Sequence, residues 1–199
     1  MNNDSQIDLI ERSWLKKHRA GDKTAFRDLM QSYRKPVYSY LKRCGLEKNC
    51  CDDLFQDIFF KIHKNSSSYN PKQRLSPWIF TIAVNTVRNY IRDNKTEKTH
   101  LSLVDDSSLQ LVDESASPEK ITQSTQQIQW LEKAVLKLPS IQSQVLNLLL
   151  IDGLKLQQVA EILELPVNTV KTHSHRARQS LIQSYAKISQ ADNVQRSIL

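Results

Sequence analysis

Apolar residues recur at three- and four-residue intervals along most of the 199-residue chain, the spacing of one buried helix face. From Gln6 to His18 the repeat is carried by Ile7, Ile10, Trp14 and Leu15. Asp22 stands where an N-cap belongs, ahead of Ala25, Phe26, Leu29, Met30 and Tyr33. Pro36 should break or kink this second helix, Val37, Tyr40 and Leu41 resume it, and Gly45 should stop it. "CCDDLFQDIFFKIHK" predicts a third helix, with Asp52 and Asp53 near its positive N-terminal end. "NSSSYNPKQRLSP" is polar, holds two prolines and reads as a loop. "WIFTIAVNTVRNYIRDN" predicts a fourth helix, with Trp78, Ile79, Ile82, Ala83 and Tyr90 as its buried side. Residues 95–120 lose the periodicity. It returns after Ile121 in "QIQWLEKAVLKL", "IQSQVLNLLLIDG", "LQQVAEIL" and a long last helix. No repeat and no strand stands out.

Composition supports this all-α reading, because three glycines and six prolines are too few for a turn-rich β fold. Charge divides the chain. Residues 1–96 hold 18 Lys/Arg and 10 Asp/Glu, net +8; residues 97–120 hold 2 and 6, net −4; residues 121–199 hold 8 and 5, net +3. Two basic blocks around an acidic one predict two helical modules, 1–96 and 126–190, joined by a flexible acidic linker over 97–125 and followed by a tail, 191–199. A formal charge of +7 suits a polyanionic partner. No apolar run reaches signal-peptide or membrane-span length, which points to a cytoplasmic protein without membrane insertion. Cys44, Cys50 and Cys51 form neither a disulfide framework nor a zinc pattern and are expected to be small buried hydrophobes. His173 and His175 point to different sides of a helix and chelate poorly. With no phosphate-cradling loop or nucleophile elbow either, no enzyme, metal or cofactor is expected.

The stretch "VAEILELPVNTVKTHSHRARQSL" carries the chemistry. An apolar helix with Val159, Ala160, Ile162 and Leu163 ends at "ELPV" and a basic helix follows. At about 100° per residue, Val170, Ala177 and Leu181 share one side, with Ser174 beside them. Lys171, Thr172, His175, Arg176 and Gln179 point away, and Arg178 lies at the edge. Asn168 or Thr169 can cap the helix or touch phosphate. A helix-turn-helix needs this division: one side packs on the brace helix, the other enters the major groove, where Arg and Lys meet guanine edges or phosphates. The plainer alternative is an amphipathic helix with a solvated charged side.

The segment from Leu138 to Leu181 resembles region 4 of bacterial RNA polymerase sigma factors of the extracytoplasmic-function group. Leu138-Pro139, Gln144-Val145, Gly153-Leu154, Ala160-Glu161-Ile162, Pro166-Val167, Thr169-Val170-Lys171 and His175-Arg176-Ala177-Arg178 carry the likeness. It implies reading of the promoter −35 element by Lys171, Thr172, His175 and Arg176, with Asn168, Thr169 and Arg178 close by. Glu164 stands where the turn usually has glycine, and Lys155, Leu156, His173 and Ser174 also depart from the pattern. "NTVKTH" is similar to the helix-turn-helix of two-component regulators too, so a regulator that is no polymerase subunit is the rival reading.

The first half speaks against that rival, since it has no α/β pattern. "AFRDLMQSY", "DDLFQDIFFKIHK" and "SPWIFTIAVNTVRNYIRDNK" resemble region 2 of the same group in order and spacing. Asp53, Gln56, Asp57 and Phe60 recur along one helix side, which suits either solvent or a basic helical partner. The resemblance implies the clamp coiled coil of the polymerase largest subunit. It also implies that the fourth helix and its preceding loop open and read the −10 element. Exposed bases call for charge, amides and stacking planes. Lys72, Arg74, Arg88, Arg92 and Lys95 supply charge, and Asn85 and Asn89 supply amides one turn apart. Asn85 matches the position that contacts an extruded base, and Tyr69 could help form its pocket. Thr81 stands where relatives often carry Arg. Core RNA polymerase and promoter DNA are the partners implied, with an anti-sigma factor frequent in the group.

Overall fold

The computed structural model describes residues 3–94, 130–131, 133–151 and 154–196. Among them every regular element is helical. The order is α1 (Asn3–Arg19), α2 (Lys23–Arg43), α3 (Lys48–Lys64), a 3₁₀ turn (Ser66–Ser68), α4 (Leu75–Asn94), α5 (Ser140–Leu149), α6 (Leu156–Leu163) and α7 (Val167–Arg196). The expected acidic linker, 97–125, lies wholly outside the described residues.

Local chemistry explains the helix ends. The Asp22 carboxylate accepts from the N–H groups of Thr24 at 2.8 Å and Ala25 at 3.2 Å, satisfying two first-turn donors of α2. Gly45 follows the other end at φ 77°, a backbone angle that glycine adopts without strain. Pro36 does not interrupt α2, which runs through it to Arg43. The carbonyl it leaves without an intrahelical donor belongs to Ser32, an exposed residue that water can serve. The third helix begins at Lys48, so Asp52 and Asp53 sit in its second turn rather than at its positive end. Asp52 instead accepts the Tyr38 hydroxyl at 3.0 Å. The fourth helix starts at Leu75, three residues ahead of Trp78, and takes Pro77 into its first turn, where a missing N–H costs little.

The buried side chains of α2, α3 and α4 form one core, with Val37, Leu41, Ile58, Ile62, Ile79, Phe80, Ala83 and Val84 fully enclosed. Leu15 and half-buried Trp14 add α1 to it. Among the predicted buried side of α4, Ile79 and Ala83 are enclosed, while Trp78, Ile82 and Tyr90 are half-buried at its margin. In the second module α6 and α7 cross after a tight turn and pack on α5. The core does not stop at the module boundary: Val145, Leu148, Val159, Ile162 and Val170 are continuous with it.

Cys51 is buried, Cys44 and Cys50 are half-buried, and all three are free thiols. Burial pushes the Cys44 and Cys51 thiols up to about 11. They therefore stay protonated and act as packing groups.

Candidate nucleic-acid interface

The helix-turn-helix is built around Glu164. Its backbone is left-handed, φ 56° and ψ 42°, and it closes α6. The next N–H, of Leu165, returns to the Ala160 carbonyl at 2.9 Å, and that of Glu164 reaches the Glu161 carbonyl at 3.2 Å, the two bonds that cap a helix in this way. At the other end of α6, the Gln158 amide oxygen accepts the Lys155 N–H at 2.8 Å. Lys155 has no acceptor to return the bond, so half of a capping box is present. Val159, Ala160, Ile162 and Leu163 are buried, and small Ala160 lets α7 approach.

The second helix has the division its sequence predicts. Val170 and Ala177 are fully buried and Ser174 nearly so. Asn168, Lys171, Thr172, His175, Arg176, Arg178 and Gln179 are exposed. The turn places Thr169 half-buried. The helix begins at Val167, so Asn168 and Thr169 are first-turn residues and not caps. Thr172 donates to the Asn168 carbonyl at 2.9 Å, which leaves its methyl and Oγ1 lone pairs toward solvent. The result is a cationic, hydrogen-bonding ridge on a rigid apolar support, shaped to enter a major groove.

In the first module α4 carries the second candidate surface. Asn85, Asn89 and Arg92 are exposed, and Arg74 and Arg88 are half-buried. Thr81, Asn85, Arg88 and Arg92 fall on one side of the helix. The Thr81 hydroxyl is turned inward to the Pro77 carbonyl at 2.9 Å. Tyr69 is not an open stacking plane. It is buried, packs on Trp78 with ring centroids 5.3 Å apart, and donates its hydroxyl to the Gln73 carbonyl at 2.5 Å. It braces the loop that holds Gln73 and Arg74. Arg19 ties the same loop to α1 through the Ser66 and Tyr69 carbonyls.

The third candidate surface lies on α3. Asp53, Gln56 and Phe60 are exposed, Phe60 by 64%. Asp57 is half-buried and ion-paired with Lys61 at 2.7 Å, so its charge is partly answered within the helix. Behind this side Leu54, Ile58 and Ile62 face the core. A large exposed aromatic flanked by carboxylates suits a protein partner with basic and apolar groups.

Sequence reasoning missed the junction between the modules. The Asn147 amide donates to the Arg43 carbonyl at 3.1 Å, and the Arg43 guanidinium donates back to the Asn147 carbonyl at 3.3 Å. Arg88 donates to the Gln144 amide oxygen at 3.3 Å. Asn147 is 1% exposed. Its signal was present in "VLNLLLI", a single amide inside an apolar run. Among the described residues no group of three potential ligands could hold a metal ion.

A helical module with an open acidic-aromatic side and a basic, amide-bearing helix, followed by a helix-turn-helix, defines a class of two-module DNA-binding proteins. Family comparison narrows it. Residues 29–97 match the model of Sigma-70 region 2 and residues 128–181 that of Sigma-70, region 4. The chain belongs to the sigma-70 family of bacterial RNA polymerase sigma factors, in its extracytoplasmic-function group. It is 28% identical over 180 residues to the ECF RNA polymerase sigma factor SigW of Bacillus subtilis, covering 88% of this chain and 96% of that one. The ECF RNA polymerase sigma-E factor of Escherichia coli K12 is 24% identical over 178 residues, 87% and 93% of the two chains. The fold is similar to that of CnrH, solved with the cytosolic domain of CnrY. That likeness has a TM-score of 0.65 at 18% identity and covers 89% of this chain and 98% of that one. It is also similar to the sigma factor RpoE of Bartonella quintana, solved with the anti-sigma factor NepR, with a TM-score of 0.59 at 19% identity over 79% and 96% of the chains.

Proposed function

We propose that this chain is an alternative sigma factor that binds core RNA polymerase and directs it to promoters with two recognition elements. The observation that carries the reading is the pairing of two family modules, each with an exposed surface of the right chemistry, in one chain. The ridge of Asn168, Thr169, Lys171, Thr172, His175, Arg176 and Arg178 reads the −35 duplex. Arg74, Asn85, Arg88, Asn89 and Arg92 capture the melted −10 strand, with Asn85 on the extruded base. Asp53, Gln56, Asp57 and Phe60 meet the polymerase. RNA synthesis itself belongs to the polymerase, so the chain needs no catalytic group or cofactor of its own.

In this reading the chain divides into a polymerase-binding and −10-binding unit over 1–96, a linker over 97–125, a −35-binding unit over 126–190 and a tail over 191–199. An anti-sigma protein is the expected regulator, the kind of partner with which the RpoE structure was solved. No helix among the described residues is long and apolar enough to cross a membrane, and the work proposed here is done in the cytoplasm, where the polymerase is.

Separate variants test the assignment. Arg176→Ala should weaken binding to upstream promoter duplex by about 1–3 kcal/mol, the usual cost of losing a bidentate base contact. Phe60→Ala should weaken capture of core polymerase and leave duplex binding unchanged. The reverse pattern would contradict the assignment.

A further inference from the structure

We propose that Arg19, on the last turn of α1, is a positioning residue for capture of the melted strand: it holds the loop between α3 and α4 in the shape that presents Arg74. This rests on the sigma reading above for what the loop and α4 bind. Arg19 itself meets neither base nor phosphate. It lies outside residues 29–97, the part of the chain that matches the region 2 model.

The loop, residues 65–74, carries one short 3₁₀ turn, Ser66–Ser68. Its tip is shaped by Asn70, whose side chain accepts the Lys72 N–H at 3.0 Å and whose carbonyl accepts the Gln73 N–H at 3.0 Å. These bonds are local, and Asn70, Lys72 and Gln73 are exposed. Ties to the fold come nearer its start. Buried Tyr69 packs on Trp78 and donates its hydroxyl to the Gln73 carbonyl. From α1, the Arg19 guanidinium donates to the carbonyls of Ser66 and Tyr69, the latter at 2.9 Å. Ser66 and Tyr69 are both buried residues, where a carbonyl without a donor is costly. A guanidinium keeps its charge and makes stronger bonds to carbonyls than a neutral donor does.

Arg19 is held in turn. Beyond it α1 closes with the Gly21 N–H on the His18 carbonyl and the Asp22 N–H on the Lys17 carbonyl, both at 3.0 Å, and Gly21 takes φ 94°. The ring of His18 meets that of His63 in the last turn of α3 at 2.9 Å. The end of α1 thus grips the end of α3 and the loop together. A strand gains most from groups already in place, because ordering a loop on binding subtracts from affinity. Without Arg19 the start of the loop loses its bonds to α1, and Arg74 samples more positions. Strand affinity then falls with the fraction of chains whose loop is in place.

The test uses the full chain. Fluorescence anisotropy reads binding of random-sequence single strands about 12 nucleotides long. Fluorine NMR of chain labelled with 5-fluorotryptophan reads the Trp78 ring, whose signal is the one lost in Trp78→Phe. Arg19→Ala should shift that signal. If the fraction of loops in place drops from about 90% to about 20%, strand binding weakens about fivefold. Arg19→Lys keeps the charge and a donor and should recover most of both. Lys16→Ala removes another exposed cation from the same helix and should stay close to the parent. Duplex binding, through α7, should be unchanged in all three.

Equal loss in Lys16→Ala and Arg19→Ala would reduce the effect to charge and overturn the positioning. So would a Trp78 signal that moves in Arg19→Ala while strand affinity stays, or one that does not move at all. Strand binding by the parent that Asn85→Ala leaves unchanged would bring down the reading of α4, and the proposal with it. Should Arg19→Ala lose its helical circular dichroism, Arg19→Met, which keeps the stem and lacks the donors, decides in its place.

Discussion

Glu164 is the only non-glycine residue with positive φ among the described residues. A side chain in the left-handed region crowds its own backbone, and glycine removes that crowding at the cost of extra chain freedom when unfolded. Glu164→Gly should therefore stabilise the second module by about 0.5–1 kcal/mol, read as a higher melting temperature. A β-branched Glu164→Val should lower it. Asp22 acts at the other kind of helix end. Hydrogen bonds from Thr24 and Ala25 hold its carboxyl below the ordinary range. Asp22→Ala should lower the melting temperature of the first module at neutral pH, and the difference should shrink as acid protonates Asp22. His18 makes a third case. Its ring nitrogen lies 2.9 Å from that of His63, and burial followed by the His63 charge lowers its pKa below 6.5. The unfolded chain then binds the proton more readily, so this contribution to stability is present near pH 7 and is lost as pH falls through the histidine range. Thermal melts from pH 7 to about 5.5, above most carboxylate titrations, should fall less steeply for His18→Gln. Equal slopes would contradict the assignment.

At the scale of elements, buried Val170 and Ala177 and half-buried Leu181 were legible as an apolar stripe because helical period alone orders them, and the exposed ridge opposite followed from the same geometry. Helix boundaries were less legible. Pro36 reads as a breaker from propensity, yet packing of Val37, Tyr40 and Leu41 carries α2 through it. Lys48 and Asn49 opened α3 earlier than the apolar pattern did, and this moved Asp52 and Asp53 away from the helix end. Tyr69 read as part of the pocket for an extruded base and is a buried strut, because nothing local announces that Gln73 and Trp78 close over it. The α4 and α7 surfaces make separable predictions. Binding of α7 to duplex should weaken steeply with salt, since phosphate contacts release counterions. Asn85→Ala should slow promoter melting while leaving upstream duplex affinity within a factor of about two, given that well-separated sites act independently. Footprinting with a melting-sensitive probe reads both.

For the whole molecule, two basic modules around an acidic segment could be read from charge alone, and the resemblance of both halves to one family carried more weight than either half. The junction could not be read so. Asn147 is one amide in an apolar run, and its partner Arg43 lies 104 residues away. Periodicity describes each helix by itself and is silent on which faces of two modules meet. The open α3 side, with Phe60 exposed beside Asp53 and Gln56, is the corresponding surface left without a cover in the described fold. The central claim is that this side delivers the two DNA-reading surfaces to a polymerase. It is tested most directly by adding the purified chain to core bacterial RNA polymerase on genomic DNA and mapping the transcript starts. Discrete starts that share two upstream motifs are the predicted result. A chain that binds duplex DNA but never associates with core polymerase, and yields no starts, would contradict it.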